Sequence, residues 1–425
     1  MKKKHQPSEK IQSEIAQLLS VESETKDLLN DLSRQGIRLL LQRILEAEAE
    51  EHLARPWYQR RAKEAPVTGY RNGYERRVLK TAIGRVAVQQ PRLRNTIHPF
   101  RSLLIKRIGK IGYKLIQLAT EMYVRGLSTR DIEQTLTDED GTPILTRSVT
   151  SRLTDGLYKE YEAFTERDLS RHDVVYLFVD GVYESVRKYS NGQTILCAWA
   201  ILSDGSKQML HLAAVESESQ TAWEQFFEEM TARGLRQPLL IISDGAKGLH
   251  AAITRSFPRV DRQRCIAHKL RNLLSKLPKD KAIQKQIAAE VKAIYYAPDR
   301  ATADTLIVGF LDRYSGKHPA MIKCFNDDLE ACLTHLSYPA GHRKFIRTTN
   351  QLERSFEEEK RRTKTIPMHT NERAALKLVF GVLIRVSTKW IKVSMNDLER
   401  AQLRKLRDSK VKDQDNKYIS YRLAA

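Results

Sequence analysis

The stretch from residue 172 to residue 244 limits the fold more than any other, because strand and helix patterns alternate along it. Its elements are three strand-like runs, an amphipathic helix and a short apolar run, in the order VVYLFVDG, TILCAWAIL, KQMLHLAAV, QTAWEQFFEEMTARGL and PLLIISDG. An Asp-Gly pair between the second and third runs predicts a hairpin turn. The last run is typical of a central strand that is buried on both faces. Together these patterns predict a mixed α/β sheet, and the segment 273–340 that follows is mostly helical in pattern.

Two of these strands end in an aspartate followed by glycine, Asp180 in YLFVDG and Asp244 in LIISDG. Strands of an open α/β sheet deliver their last side chains to the rim where ligands bind, and glycine lets a large substrate approach closely. Two carboxylates on neighbouring strands can share Mg²⁺ ions, which prefer oxygen ligands and support in-line displacement at phosphorus. However, Asp-Gly is a common turn dipeptide that occurs five times in this chain. The spacing alone therefore favours ordinary turns over a metal pair.

A further group of acids lies in RTTNQLERSFEEEKRRTK, residues 347–364, where four glutamates precede a run of bases. The residues that share one stripe of a helix here, at about 100° per residue, are Asn350, Glu353, Glu357, Lys360 and Lys364. Glu358 and Glu359 point elsewhere. The helical phase leaves Glu353 and Glu357 as candidates for a third metal ligand, although a face that simply meets solvent would carry the same run.

The net charge of +21 indicates a polyanionic partner, because each neutralised phosphate releases counterions. The charge is concentrated: residues 55–114 hold 16 Lys or Arg against two acids, a balance of 16 − 2 = +14. Ribosomal and membrane-surface proteins share such a bias. The net charge therefore indicates that the partner is a polyanion, but it does not identify which polyanion.

Two short helical patterns follow the basic stretch and resemble a helix-turn-helix, whose second helix enters a major groove of double-stranded DNA. The first, GLSTRDIEQTL, opens with an N-cap serine and an aspartate three residues later. The second is TRSVTSRLTDGLYKEY. The candidate DNA-binding residues on the pair are Ser128, Thr129, Arg130, Arg147, Ser148, Ser151 and Arg152. The joint, the segment between the two helices, is longer than a standard tight turn, so a plain helical hairpin stays open as the alternative.

Upstream of the two helices, the pattern of residues 8–53 is helical, and the pattern of residues 67–95 predicts short strands that carry arginines.

The four cysteines are widely spaced without a CxxC pair, which suits a reducing compartment better than a disulfide framework. The basic start is followed by no apolar core, so we expect no signal peptide, and no apolar run has transmembrane length. These features predict a cytoplasmic, nucleoid-associated protein.

Several segments, taken in order, resemble the Mutator-like bacterial insertion-sequence transposases over nearly the whole chain. They are RNGYERRVLKTAIGRVAVQQPRLR, GLSTRDIEQTL, YLFVDGVYESVR, SESQTAWEQFFEEMTARGL, IISDGAKGLHAAI, RQRCIAHKLRN and TTNQLERSFEEEKRRTK. The resemblance implies an Asp-Asp-Glu (DDE) site on a ribonuclease-H-like fold, in which a helical insertion precedes the glutamate. The aspartates of the family fall on Asp180 and Asp244, and its TTN-x-x-E glutamate falls on Glu353.

The resemblance also suggests supporting roles around these ligands. Asn350 belongs to the glutamate motif, and Glu357 lies one turn further on, beside the ligands or facing phosphate. Glu358 and Glu359 are expected to be solvated or paired with nearby bases. The phosphate-binding bases beside the site would be Lys360, Arg361, Arg362 and Lys364. Members of the family usually have asparagine at the position of Phe356. The segment TKTIPMHTNE further on also departs from the family pattern. Because of these two departures, we expect the local DNA contacts to differ.

The family's Cys-x-x-His signature matches Cys265 and His268. A zinc site would need two more ligands, which Cys324 or Cys332 with His335 could supply. We therefore interpret Cys265 and His268 as an element that braces the helix beside Asp244, with His268 touching DNA or a carboxylate. Trp223 matches a family tryptophan, and its amphipathic spacing predicts a core position.

The sequence thus predicts a DNA transposase that binds terminal inverted repeats and catalyses strand cleavage and strand transfer with two Mg²⁺ ions, for which Mn²⁺ can substitute. A homodimer or larger assembly is expected, because two element ends must be handled together. The alternatives are an inactive transposase-derived DNA-binding regulator and a structure-selective nuclease of the same fold.

The expected regions are a helical region 1–66, a basic DNA-binding region 67–170, a catalytic core 171–272, a helical insertion 273–345, core helices 346–400 carrying the glutamate, and a basic tail 401–425.

Overall fold

The computed structural model describes residues 5–20, 28–57, 59, 69–138, 140–184, 193–363 and 371–423, apart from the side chains at 184, 193, 352 and 411–423. The chain divides into two compact units, Met1–Asp155 and Gly156–Ala425. Among the described residues, no helix combines the length and the apolar character that crossing a bilayer requires.

The first unit combines helices with a β-hairpin. Its elements are α1 (Pro7–Ser20), α2 (Leu28–Leu53), β1 (Tyr70–Thr81), β2 (Gly84–Arg94), α3 (Leu103–Ile108), α4 (Tyr113–Val124), α5 (Thr129–Thr135) and the start of α6 (Arg147–Glu166). Strands β1 and β2 form an antiparallel hairpin. Leu45 of α2 packs with Val86 and Val88 of β2 in a small hydrophobic core. The helical pattern predicted over 8–53 is confirmed for its described part as α1 and α2, and residues 21–27 lie outside the described residues. The strands expected over 67–95 are confirmed as β1 and β2, with 67–68 outside the described residues.

The predicted helix start at Ser128 is confirmed as a capping box. The Ser128 hydroxyl accepts a hydrogen bond from the Asp131 backbone N–H at 3.2 Å, and the Asp131 carboxylate accepts one from the Ser128 N–H at 2.9 Å. Two backbone donors that the helix leaves without partners are thereby satisfied. The hydroxyl that was a candidate DNA contact is therefore engaged in holding α5.

Ser128→Ala is expected to lower the free energy of unfolding by about 1 kcal/mol, because it removes the cap of α5. Urea denaturation of the two proteins measures this difference. Ser148→Ala, at an exposed position of α6, is the matched control and should leave the unfolding free energy within about 0.5 kcal/mol. Equal stability of Ser128→Ala and the parent chain would contradict the capping role.

The second unit is built around a mixed five-stranded sheet, as the sequence predicts. Its strands are β3 (Val174–Glu184), β4 (Gln193–Leu202), β5 (Lys207–Val215), β6 (Leu240–Ser243) and β7 (Asp261–Arg264), in the spatial order β5-β4-β3-β6-β7. β3, β4 and β5 are antiparallel neighbours, whereas β6 and β7 run parallel to β3. The expected hairpin turn joins β4 and β5 through Asp204 and Gly205, whose φ of +86° favours glycine.

The helices of this unit include α7 (Gln220–Ala232), α8 (Lys247–Ser256), α9 (Ile266–Leu274), α10 (Lys281–Tyr295), α11 (Arg300–Tyr314), α12 (Pro319–Asn326), α13 (Leu329–Leu333), α14 (Ala340–Ile346), α15 (Asn350–Thr363), α16 (Glu372–Ser387) and α17 (Asp397–Leu423). The five helices from α9 to α13 pack around a separate hydrophobic core, which includes Phe310 and Phe325. The helical pattern over 273–340 is thereby confirmed. The polar residues after 400 continue as helix α17, where Leu403 packs in the core.

The two faces of the sheet carry separate apolar layers because side chains alternate along each strand. Leu177 and Val179 of β3 face Trp223 of α7, which is fully buried as its spacing predicts. Phe178 faces the other way and stacks on Trp199, with ring centroids 3.9 Å apart. Helices thus cover both faces. The end of β6, beside the part of β3 that continues to Glu184, forms the rim on which a site can form.

Candidate active site

Asp180 and Asp244 come to the same level of the sheet. The prediction that each aspartate ends its strand is wrong for Asp180, because β3 continues to Glu184 in pairing with β4, whereas Asp244 directly follows the end of β6. β3 and β6 are parallel neighbours in which Phe178 lies opposite Ile242, and each aspartate follows two residues later. The Asp180 carboxylate accepts the Gly181 N–H at 2.9 Å, and the Asp244 carboxylate accepts the Ala246 N–H at 3.0 Å. Backbone hydrogen bonds therefore orient both carboxylates.

The two aspartates also influence each other electrostatically. Burial and the negative charge of Asp244 raise the pKa of Asp180 to about 7, and Glu218 acts in the same direction. Burial and the charge of Asp244 likewise raise the pKa of Glu218. The rim thus gathers acids whose charges repel one another, which a cation would relieve.

Glu353 lies in the first turn of α15, where three side chains contact its Oε1 atom. Arg271 Nη2 donates to it at 3.1 Å, the Thr349 hydroxyl lies 3.3 Å away, and His268 Nε2 lies at 3.5 Å. The hydrogen bond with Cys265 raises the pKa of His268, and the carboxylates of Glu353 and Asp180 add to that effect. His268 therefore lies within electrostatic reach of both acids.

Cys265 ties the start of α9 to the chain before α15. Its sulfur accepts hydrogen bonds from the Thr349 N–H at 3.3 Å and the Thr349 hydroxyl at 3.4 Å. The sulfur is fully buried. The bracing interpretation is thus compatible with these contacts, and the carboxylate that His268 meets is Glu353.

The described residues contain one set of three His, Cys or acidic ligand atoms within 4.8 Å of one another, namely Cys265, His268 and Glu353. Cys324, Cys332 and His335 do not join it, and His335 instead contacts the backbone oxygens of Tyr295 and Cys332. A four-ligand zinc site is therefore not assembled. Among the described residues, Asp180, Asp244 and Glu353 are not gathered into a comparably tight set either, and Glu353 pairs with Arg271.

The remaining acids of α15 divide between surface and core. Glu357 is exposed, and Glu358 pairs with Arg361 at 3.3 Å and with Arg362. Glu359 is fully buried, so the expectation that it is solvated is wrong. Ser355, Phe356 and Thr363 are buried with it, because this side of α15 packs towards the sheet.

Among Asn350 and the predicted phosphate-binding bases, some side chains are exposed to solvent and others are held by an acidic neighbour. Lys360 and Asn350 are exposed, whereas Arg361 and Arg362 are engaged by Glu358. Lys364 lies outside the described residues.

The candidate DNA-binding residues on α6 are exposed. They are Arg147, Ser148, Ser151 and Arg152, whereas Thr150 and Thr154 of the same helix are buried. Arg130 is also exposed, and Thr129 is half-buried. Glu133 of α5 accepts the Arg147 N–H at 2.8 Å, which caps α6 from the preceding helix.

The long joint between α5 and α6 is ordered by backbone pairing. Thr137 bridges to Pro143 in antiparallel fashion, and the Ile144 N–H donates to the Leu136 oxygen at 2.8 Å. Arg85 of the hairpin binds Asp138 in the same joint. The two helices are thus held by a compact loop rather than a tight turn.

The family described as "Transposase, Mutator family" matches residues 8–393. The chain belongs to the Mutator family of transposases. Its similarity extends to the transposase for insertion sequence element ISRM5 of Rhizobium meliloti, with 31% identity over 90% of this chain and 96% of the relative.

Two further relatives match over most of their length. The transposase for insertion sequence element IS406 of Burkholderia multivorans is 32% identical over 86% of this chain and 94% of its own. The transposase for insertion sequence element IS256 in transposon Tn4001 of Staphylococcus aureus is 30% identical over 90% of this chain and 95% of its own.

Three residues of the candidate site were not among those that the sequence patterns indicated: Glu218, Arg271 and Thr349. Arg271 follows His268 by three residues on α9, so helical spacing alone could have placed both on one face. Thr349 belongs to the TTN-x-x-E motif, but its contact with Cys265 depends on the fold. Glu218 lies outside the helical pattern of α7 and gave no periodic signal.

Proposed function

We propose that this chain is the transposase of an insertion sequence, which binds terminal inverted repeats, cuts DNA strand ends and joins them to target DNA in a metal-dependent reaction. The observation that carries the proposal is the pairing of Asp180 and Asp244 at one level of the sheet rim, with the pKa of Asp180 raised to about 7. An acidic pair of this kind binds a divalent cation with relief of its own repulsion. Family membership supports the same reaction.

The ligands that we assign are Asp180, Asp244 and Glu353. Their donors are all carboxylate oxygens, which suit Mg²⁺ and its substitute Mn²⁺ better than a softer ion. The sulfur of Cys265 is engaged with Thr349, which favours a structural role over a ligand role. Two such ions, when bound, lower the pKa of an attacking water or 3′-hydroxyl and stabilise the leaving oxygen during in-line displacement.

The protein's own residues fix the geometry of this reaction. Backbone N–H groups orient Asp180 and Asp244, and Arg271 with His268 holds Glu353. Gly245 leaves room for Arg264, since a Cβ there would lie 1.6 Å from its Nη1 atom. Arg264 in turn donates to the Gly245 oxygen at 2.9 Å and so supports the loop that carries Asp244.

A ribonuclease-H-like assignment is supported by the order and direction of the strands. Three antiparallel strands are followed by two that run parallel to the first of them, and that first strand, β3, is central and carries Asp180. Helices α10–α14 lie between Asp244 and Glu353 in sequence, where a helical insertion is expected.

DNA binding is assigned to the basic residues of the first unit. The exposed face of α6 carries Arg147 and Arg152, and residues 55–114 supply the excess of positive charge. These features support a helix-turn-helix that reads double-stranded DNA with backbone contacts around it. Because two element ends must be handled together, the proposal includes a homodimer or larger assembly.

The double substitution Arg147→Ala/Arg152→Ala is expected to weaken binding to the element ends about tenfold or more, and to reduce the slope of log affinity against log salt by about two. Fluorescence anisotropy with terminal-repeat DNA across a salt series measures both quantities. Lys285→Ala/Lys317→Ala removes the same charge from exposed positions of the second unit. A control that weakens binding as much as the α6 variant would reject the recognition role of α6.

The test of the proposed function is strand transfer in vitro with purified chain, Mg²⁺ and DNA that ends in the native element termini. Joined products that disappear on chelation of the metal are the expected result. Cleavage without joining would favour the structure-selective nuclease, and binding without either step would favour the DNA-binding regulator.

A further inference from the structure

Glu218 lies between the two chain segments that carry the aspartates. On one side, a Cβ built on Gly181, the neighbour of Asp180, would lie 3.6 Å from the Glu218 Cδ and Oε1 atoms. On the other side, a Cβ built on Gly248, at the start of the helix after Asp244, would lie 3.0 Å from the Gln220 nitrogen and 3.5 Å from the Ser219 carbonyl carbon. The loop that carries Glu218 is thus packed against both segments.

Local contacts fix this loop in place. Ser219 caps α7 by accepting the Ala222 N–H at 3.2 Å. The indole N–H of Trp223, which is fully buried, donates to Glu218 Oε1 at 3.2 Å. The Glu218 carboxylate is therefore held in one position beside Gly181, in a partly buried hydrogen bond, although much of the residue is exposed to solvent.

The presence of a charged group here needs an explanation. A glutamine would accept the same hydrogen bond from Trp223 without adding a negative charge next to Asp180 and Asp244. Placing a third carboxylate beside two others costs free energy unless a cation offsets the repulsion. A purely structural partner for Trp223 would therefore be better served by a neutral side chain.

We infer that Glu218 is a fourth metal-binding carboxylate of the site, which holds a divalent cation together with Asp180 and Asp244. This inference rests on the proposed metal site. It adds a ligand from the loop before α7 that the Asp-Asp-Glu motif does not contain.

The experiment measures Mn²⁺ binding to the full chain without DNA, by the loss of the free-ion electron paramagnetic resonance signal. Glu218→Gln should weaken Mn²⁺ affinity about tenfold or more, as Asp180→Asn should. Glu216→Gln, at an exposed position two residues away, should bind Mn²⁺ like the parent chain. Wild-type affinity in Glu218→Gln together with weak binding in Asp180→Asn would overturn the inference and leave the proposed function standing. Wild-type affinity in Asp180→Asn, or no binding by the parent chain, would overturn the metal site itself.

A thermal unfolding measurement without metal separates the ligand role from a structural one. Glu218→Gln should melt at no lower temperature than the parent chain, because glutamine keeps the acceptor for Trp223 and removes a repulsive charge. A lower melting temperature combined with unchanged Mn²⁺ affinity would show that Glu218 serves only Trp223, which would also overturn the inference.

Discussion

Asp180→Asn is expected to reduce strand transfer about 10³-fold or more, while binding to the element ends persists. The substitution keeps the size of the side chain and its hydrogen-bond acceptor for Gly181, but it removes the charge that would hold the metal beside Asp244. Strand-transfer rates and gel-shift affinities with the same DNA measure the two effects separately. Full strand transfer by Asp180→Asn would contradict the assigned site.

The matched control is Asp204→Asn, because Asp204 is also an aspartate that follows an apolar strand and precedes glycine. Its carboxylate accepts hydrogen bonds from the Ser206 N–H and hydroxyl at 2.9 and 2.6 Å, so it serves the β4–β5 turn. Strand transfer by this variant should stay close to that of the parent chain.

Loss of activity in Asp180→Asn should not come from loss of folding. The pKa of Asp180 is raised in the fold from 3.8 to about 7, so ionisation of this group opposes folding. Its favourable contribution, present at low pH, is lost as the pH rises through about 7. The variant lacks this ionisation, and its melting temperature above pH 7 should be no lower than that of the parent chain.

Glu353→Gln is the second substitution with a large expected effect, again a loss of about 10³-fold in strand transfer. Glutamine can still accept hydrogen bonds from Arg271 and Thr349, so the local fold should persist while the anionic ligand is lost. Strand-transfer rates at saturating element DNA measure the effect.

Glu357→Gln provides the control from the same helix, one turn further on. Glu357 is exposed, and its substitution should change the strand-transfer rate less than about threefold. Loss of activity in Glu357→Gln alone would move the site by one helical turn, and full activity in Glu353→Gln would remove Glu353 from it.

The elements that could be predicted from the sequence are those in which the local residue pattern matches the environment of the element in the fold. β6 is buried along its whole length and is apolar up to its last residue, Ser243, so the run LIIS and the Asp-Gly after it could be read directly. The hairpin at Asp204 and Gly205 and the capped start of α5 at Ser128 were equally readable, because turn and cap residues act within a few positions of one another.

The sequence could not predict contacts that depend on which elements meet. β7 has the polar sequence DRQR and becomes a strand only by pairing with β6. Helical phase correctly separated Glu353 from Glu359, but it could not show that the Glu359 side of α15 is the one that becomes buried. The meeting of Glu218 with Gly181 likewise arises from packing between distant segments.

The central claim, that Asp180, Asp244 and Glu353 share a metal site, is tested most directly by Fe²⁺-mediated cleavage of the protein backbone. Fe²⁺ bound in place of Mg²⁺ reduces added hydrogen peroxide to hydroxide and a hydroxyl radical, the iron being oxidised to Fe³⁺. The radical cuts nearby peptide bonds, and mass spectrometry of the fragments locates the cuts. Cuts near residues 180, 244 and 353 are expected, and excess Mg²⁺ should suppress them and Asp180→Asn should remove them. Cuts confined to other segments, or an unchanged pattern in Asp180→Asn, would contradict the claim.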